Sequence, residues 1–261
     1  MAKPHSACSV VKYPGNRFPA IDYMEVARRK PLIHLLSEAD VTLTRDRIRQ
    51  YRGQTGQGLS FTAFLIGCLA RAVEENKGVH AYRSRRKLVI FEDVDACVLV
   101  EHQLSDARLP APHVIRGVNR MSATQIHSEI RRFQEEGVAD VDPWRLSRFY
   151  PYFPGFLRRL FWRALLSNPS WMKRIAGTVC VTAAGMFGKG AGWGIPISGY
   201  TLTLTMGGIG QKLVLVGGNA VEREFLSLTL SFDHEIVDGA PAARFASRLR
   251  ELIEEGHGLE V

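Results

Sequence analysis

The 261-residue sequence predicts a single α/β domain in which a mixed β-sheet is covered by helices. Three observations lead there. Apolar strand-like segments come in groups with helical segments between them, rather than in a strict strand–helix alternation. No Gly-x-Gly-x-x-Gly or Gly-x4-Gly-Lys-Ser/Thr loop follows any of these strands, which argues against a doubly wound nucleotide-binding fold. The last strand candidate, "FLSLTLSFDH", alternates strictly, with Leu226, Leu228, Leu230 and Phe232 on one face and Ser227, Thr229, Ser231 and Asp233 on the other.

The elements follow in order. Residues 23–52 read as a short helix, a strand around 33–41 and a second helix opened by Thr42 or Thr44. "LSFTAFLIGCLARAVEEN" is a helix with Ser60 as its N-cap and Phe61, Phe64, Leu65, Cys68, Leu69, Ala72 and Val73 inward. "KLVIFE" and "DACVLVE" read as strands and "APHVIRGV" as a further extended piece. In "SATQIHSEIRRFQEEG", Ser122 and Gln125 form a capping box, and Ile126, Ile130 and Phe133 make the inward stripe. "GTVCVTAAG", "GYTLTLTMGG" and "QKLVLVGG" are three separate strands before the last one. "DGAPAARFASRLRELIEEG" closes the chain as a helix, with Pro241 in its first turn, Ala242, Phe245, Leu249, Leu252 and Ile253 inward, and Gly256 as the stop. No linker divides the chain, so residues 1–261 are expected to form one domain.

Residues 141–176 stand apart. "VDPWRLSRFYPYFPGFLRRLFWRALLSNPSWMKRIA" concentrates aromatic and basic residues, and Phe156, Leu157, Leu160, Phe161, Ala164 and Leu165 share one helical face while Arg158, Arg159 and Arg163 hold the other. Two roles fit this segment: a helical hairpin packed on the domain or on a neighbouring subunit, and a peripheral membrane contact through residues 144–174.

The composition narrows the function. A net charge of +8 and an isoelectric point of 9.5 favour an anionic partner such as a phosphorylated cofactor or an acidic membrane surface. Nucleic acid is disfavoured, because no C2H2 pattern, RNP-type motif or basic tail is present. No apolar run approaches the roughly 20 residues of a membrane span and the N-terminus has no secretory signal, so a cytoplasmic protein is expected. Cys8, Cys68, Cys97 and Cys180 are scattered without a CxxC pair, which predicts buried thiols and neither zinc site nor disulfide framework.

The chemistry is concentrated in "SFDHEIVDGA". If the strand keeps its phase, His234 falls on the leucine face, where desolvation disfavours imidazolium and leaves a nitrogen free to accept a proton. An acidic residue and a glycine follow at once, and a helix begins, so the histidine stands at a strand-to-helix corner.

"SFDHEIVDGAPAARF", with its His-x-x-x-Asp-Gly core, and "GTVCVTAAGMFG" together resemble the catalytic domain of the 2-oxo acid dehydrogenase acyltransferases, relatives of chloramphenicol acetyltransferase. The resemblance runs over most of residues 20–256 and implies a trimeric α/β two-layer fold with its site between subunits. It implies a CoA-dependent acyltransferase that moves an acyl group between coenzyme A and a thiol or hydroxyl. His234 would be the general base, Asp238 the motif aspartate holding the corner through a buried pair, and Thr182 the oxyanion-stabilising hydroxyl. Gly185, Met186, Phe187 and Ser231 would line the coenzyme A site, with no metal. Thr182 replaces the family's usual serine, Glu235 stands where arginine usually follows the histidine, and no lipoyl segment is recognisable. The expectation is therefore either a lipoylated protein acting in trans or a free-standing transferase that acts on some other acceptor. The competing expectations are a catalytically silent assembly subunit and a membrane-associated module.

Overall fold

A computed structural model describes residues 8–104, 107–136, 150–183 and 190–259. The chain order is α1 (Phe18–Ala27), β1 (Leu32–Asp40), α2 (Thr42–Thr55), α3 (Phe61–Glu75), β2 (Tyr82–Ser84), β3 (Lys87–Val89), β4 (Ala96–Leu104), β5 (Ala107–Ile115) and α4 (Ala123–Glu136). Then come α5 (Gly155–Ser167), α6 (Pro169–Ala176), β6 (Val179–Ala183), β7 (Leu202–Val216), β8 (Asn219–Asp233) and α7 (Gly239–Glu255). Six strands form one mixed sheet in the order β1-β8-β7-β6-β4-β5. β6 runs parallel to both β4 and β7, and the other pairs are antiparallel.

Local signals place several elements where the sequence puts them. Ser60 Oγ accepts the Ala63 amide at 3.1 Å, and the capping box closes through Ser122 N to Gln125 Oε1 at 2.8 Å and Gln125 N to Ser122 Oγ at 3.2 Å. Two strand expectations change. The segments "GYTLTLTMGG" and "QKLVLVGG" are one strand, β7, with a register irregularity between Met206 and Ile209. Gly207 and Gly208 produce it: a Cβ on either would sit 2.0 or 1.9 Å from the carbonyl of Gly192 or Gly190, so only glycine lets this backbone pass. "KLVIFE" shrinks to β3, because its only strand partner among the described residues is β2, in a separate hairpin. The tip of that hairpin holds Arg85 at φ 55°, the one non-glycine residue with positive φ among those described, in a conformation that costs a side-chain-bearing residue about 1 kcal/mol.

The sheet is buried on both faces. Val179, Val181, Leu202, Leu204, Leu226, Leu228, Leu230 and Phe232 pack under α3 and α7, where Phe232 meets Phe245 edge-on at 5.8 Å. Truncating such a fully buried Phe to Ala costs about 3–5 kcal/mol. The opposite face carries Thr203, Thr205, Ser227, Thr229 and Ser231, also buried, so the alternating pattern produces an apolar layer on one side and a hydroxyl layer on the other.

The aromatic-basic segment forms α5 and α6, with residues 141–149 outside the described part. α5 docks with a different face from the one its apolar stripe suggests, and Leu165 is the residue of that stripe that is buried. Arg158 turns inward between the rings of Phe18 and Tyr150, its guanidinium 3.1 Å from the buried Asp22 of α1, and Trp162 donates to the Tyr150 hydroxyl at 2.9 Å. Tyr150 in turn donates to Asp22 at 2.9 Å. This network outweighs the apolar stripe, and Phe156, Leu157, Leu160 and Phe161 face outward. The cysteines follow expectation in part: Cys68 and Cys97 are buried and Cys180 half-buried, but Cys8 is exposed in the irregular N-terminal segment.

Candidate active site

The strand carrying the histidine ends one residue before it. Asp233 closes β8 by donating its amide to Thr201 O at 3.0 Å, and its own carbonyl accepts the amides of Ile236 and Val237, both at 3.0 Å. The chain therefore turns at His234, whose amide donates to Pro31 O at 2.8 Å. This turn breaks the alternation that would have put His234 on the leucine face. The imidazole is 45% exposed, and its chemistry is set by orientation. Nδ1 lies 3.1 Å from Val237 O; a carbonyl only accepts, so Nδ1 carries the proton and Nε2 presents a lone pair.

The corner is held by Asp233, a residue that the motif does not single out. Its carboxylate is 3% exposed, bonds Lys30 Nζ at 2.5 Å and accepts the Glu235 amide at 3.1 Å. Asp238, expected to hold the corner from a buried position, is 86% exposed. It occupies the N-cap position of α7 without a side-chain cap, and its Oδ1 lies 3.7 Å from His234 Nδ1. The signal for Asp233 was present as an acid at the end of a row of hydroxyls; its partner Lys30 lies 203 residues away in sequence and could not be read from spacing. Glu235 pairs with Arg83 of the β2–β3 hairpin at 2.8 Å.

Thr182 lies on β6 with its side chain on the hydroxyl face, beside Thr205 of β7, which in turn faces Thr229 of β8. The hydroxyls of Thr205 and Thr229 are buried without a hydrogen-bond partner among the described residues. One row nearer the start of β6, Cys97 and Cys180 pair across β4 and β6; the hydrogen bond from Cys180 lowers the Cys97 thiol, while that same contact and burial raise Cys180. Ser231, expected at the cofactor, is 1% exposed with its hydroxyl 2.8 Å from His34 Nδ1, so it braces the sheet. Gly185, Met186 and Phe187 lie outside the described residues.

Thr182 and His234 are not brought together within one chain. From the Thr182–Thr205–Thr229 row, His234 lies five residues further along β8 and two strands across. That is roughly 17 Å along the strands and 10 Å sideways, about 20 Å in all. A depression of about 500 Å³ lined by Phe91, Asp95, Arg116, Ser170, Lys173 and Arg174 touches neither residue. The Arg116 guanidinium there already serves Asp95 and the carbonyls of Lys173 and Arg174. Among the described residues no cluster of His, Cys, Asp and Glu is placed to hold a metal ion, and no helix is long and apolar enough to cross a membrane.

Comparison with known proteins agrees with this architecture. Residues 168–260 match the family described as 2-oxoacid dehydrogenases acyltransferase (catalytic domain). A dihydrolipoyllysine-residue succinyltransferase component of the 2-oxoglutarate dehydrogenase complex from Bartonella vinsonii subsp. berkhoffii is 24% identical over 86% of this chain and 48% of its own length. The corresponding mitochondrial component of Saccharomyces cerevisiae is 35% identical over 79 residues, 30% of this chain and 17% of that protein. The chain thus spans less than half the length of these curated relatives. A probable dihydrolipoamide acetyltransferase from Listeria monocytogenes superposes with a TM-score of 0.71 at 19% identity, covering 96% of both chains. A dihydrolipoamide acetyltransferase from Azotobacter vinelandii, solved to define the roles of a serine, a histidine and an asparagine in its catalytic mechanism, gives 0.70 at 19% identity over 99% of this chain and 97% of its own. A chloramphenicol acetyltransferase gives 0.52 at 14% identity, covering 90% and 94%. The chain has the chloramphenicol acetyltransferase-like fold, and its C-terminal part carries the acyltransferase catalytic-domain match that the motifs implied.

Proposed function

We propose that this chain is a CoA-dependent acyltransferase of the 2-oxo acid dehydrogenase type, working in the cytoplasm, with each active site built from two copies. The observation that carries this reading is the His234 corner, where Val237 O fixes the tautomer and leaves Nε2 as a base. Sequence separations support the rest. In the Azotobacter vinelandii enzyme the serine precedes the histidine by 52 residues and the asparagine follows it by four. Thr182 and Asp238 stand at the same separations from His234.

In this reaction His234 Nε2 takes the proton of the attacking thiol or hydroxyl, whose sulfur or oxygen then adds to the acyl-thioester carbonyl. The Thr182 hydroxyl of a neighbouring copy donates to the oxyanion of the tetrahedral intermediate, a contact worth about 3 kcal/mol where the donor is preplaced. Collapse expels the thiolate of coenzyme A, which recovers the proton from the imidazolium. With a lipoyl arm as acceptor, the partner is a lipoylated domain.

The separation of about 20 Å between Thr182 and His234 requires a second copy, and the resemblance makes the assembly a trimer. The β7–β8 ribbon supports a contact between copies: among the described residues it pairs neither with β6 beyond Met206 nor with β1 beyond Phe225, and Leu213 and Leu215 project from it into solvent. Free strand edges with exposed leucines are surfaces that proteins normally cover. The outward face of α5 supports a second contact, with an anionic membrane, because Phe156, Leu157, Leu160 and Phe161 project from it and Arg163 on the same helix is exposed.

Mixing inactive His234→Ala with inactive Thr182→Ala chains, followed by reassembly, tests the shared site. Mixed assemblies should regain part of the wild-type activity. If the single variants stay active, or the mixture stays dead while assembling normally, the two-copy mechanism fails.

A further inference from the structure

The proposed base is flanked by two cationic runs. Arg28 and Arg29 follow α1 and lead through Lys30 to Pro31, whose carbonyl holds the His234 amide. Arg83, Arg85, Arg86 and Lys87 belong to the β2–β3 hairpin. Each run is tied to the corner once, through Lys30 to Asp233 and through Arg83 to Glu235. Those pairs occupy the two acids beside His234. Arg28, Arg29, Arg85, Arg86 and Lys87 remain exposed, and none of them pairs with a carboxylate among the described residues.

Lys30 on Asp233 and Arg83 on Glu235 bring the two runs to the two sides of the corner, and exposed cations left without a carboxylate attract an anionic ligand. The hairpin tip adds an independent observation. Arg85 holds a positive φ at the first turn position, where a two-residue hairpin favours glycine, so the turn keeps an arginine in a conformation that opposes it. Arginine offers the forked geometry that suits phosphate oxygens. The link to the corner also gives the Glu235 departure a role: the acid that stands where the related family has arginine anchors the hairpin through Arg83.

We propose that Arg28, Arg29, Arg85, Arg86 and Lys87 form the phosphate-recognition subsite for the acyl carrier, so that the copy supplying His234 also selects a carrier bearing a phosphorylated nucleotide over a phosphate-free thiol. This inference rests on the acyl-transfer reading of His234. The cations lie on the rim of the corner rather than at the reacting atoms, so they set carrier affinity and leave the chemical step to His234 and Thr182.

The test compares coenzyme A with pantetheine, which carries the same thiol without phosphates. Calorimetric binding needs no turnover: wild type should bind coenzyme A at least tenfold more tightly than Arg28→Gln/Arg29→Gln or Arg85→Asn/Arg86→Gln does, while pantetheine binding is equal in all three. In steady-state assays the same variants should raise KM for the acyl-CoA about tenfold, with kcat within twofold and acyl-pantetheine kinetics unchanged. Asparagine tolerates the left-handed turn, so the Arg85→Asn/Arg86→Gln protein should melt no lower than wild type, which separates lost recognition from lost folding. Unchanged coenzyme A binding, or an equal loss for both carriers, would overturn the subsite. Tight, cation-dependent coenzyme A binding without any transfer would uphold it and sink the acyltransferase reading instead.

Discussion

The ion pair between Lys30 and Asp233 should be the main electrostatic support of the His234 corner, and Lys30→Met isolates it. Methionine keeps the apolar stem near Tyr82, over whose ring the ammonium now sits at 5.5 Å, but leaves the 3%-exposed Asp233 carboxylate with only the Glu235 amide. Stranding one partner of a buried pair costs about 3–5 kcal/mol. Lys30 is itself 20% exposed, so water offsets part of the loss and the lower end, about 3 kcal/mol, applies. For a domain of this size that corresponds to a melting point lower by roughly 6–12 °C. The comparison is Asp238→Ala, whose exposed side chain caps nothing and should move stability by no more than about 0.5 kcal/mol. Replacing both partners, Lys30→Met with Asp233→Leu, should recover much of the melting point, since an apolar pair avoids the desolvation cost. Calorimetric melts of the four proteins at pH 7.5 decide the matter. If Asp238→Ala melts below Lys30→Met, then Asp238 holds the corner and this assignment is wrong.

Two further expectations concern other parts of the molecule. His80 donates from Nε2 to Phe91 O at 3.0 Å while Nδ1 is buried without a partner among the described residues, and burial pushes the imidazole below its ordinary value of 6.5, with Lys173 and Lys77 adding to the effect. The folded chain thus refuses a proton that the unfolded chain accepts, so this contribution to stability is complete above about pH 6.5 and is lost progressively below it; melting points measured from pH 7.5 to 5.5 should fall less steeply for His80→Phe, and an identical slope would refute the account. The outward face of α5 should carry the protein to the top of a density gradient with phosphatidylglycerol vesicles and not with phosphatidylcholine vesicles, and Phe156→Ser/Leu160→Ser should abolish flotation. Wild type that never floats would leave the face to another protein surface.

Much of the secondary structure was legible because its signals are local. A cap such as Ser60, the reciprocal Ser122–Gln125 pair and the stripe from Ala242 to Ile253 each depend on residues within one or a few turns, and all appear where the pattern puts them. The two-strand reading of β7 failed because Gly207 and Gly208 look like a turn, and only the backbone of Gly190 and Gly192 crossing beside them shows why a continuous strand needs them. α5 was legible as an amphipathic helix but not in its orientation: Asp22 lies far away in sequence, and its buried carboxylate draws Arg158 inward while Arg163 stays exposed.

The same division explains the site. His234 could be found as a chemical candidate from its motif, but its environment could not be had by extending the alternation of β8 one residue further. A strand's phase persists only while its ladder does, and here the ladder ends when Pro31 O takes the His234 amide and Asp233 O takes two amides of the turn. The imidazole leaves the apolar layer as a result, and its basic nitrogen is specified by the carbonyl of Val237 instead of by desolvation. What a motif spacing such as His-x-x-x-Asp encodes here is thus a tight corner, in which Val237 is placed to accept from Nδ1 and Gly239 to open a helix, more than a direct contact between histidine and aspartate. Thr182 is the complementary case. The resemblance of "GTVCVTAAGMFG" to the acyltransferase strand and turn marked it as a hydroxyl donor, yet sheet register leaves it about 20 Å from the base. On the proposed two-copy reading the two halves of the chemistry sit on one chain without meeting, and assembly is the step that joins them.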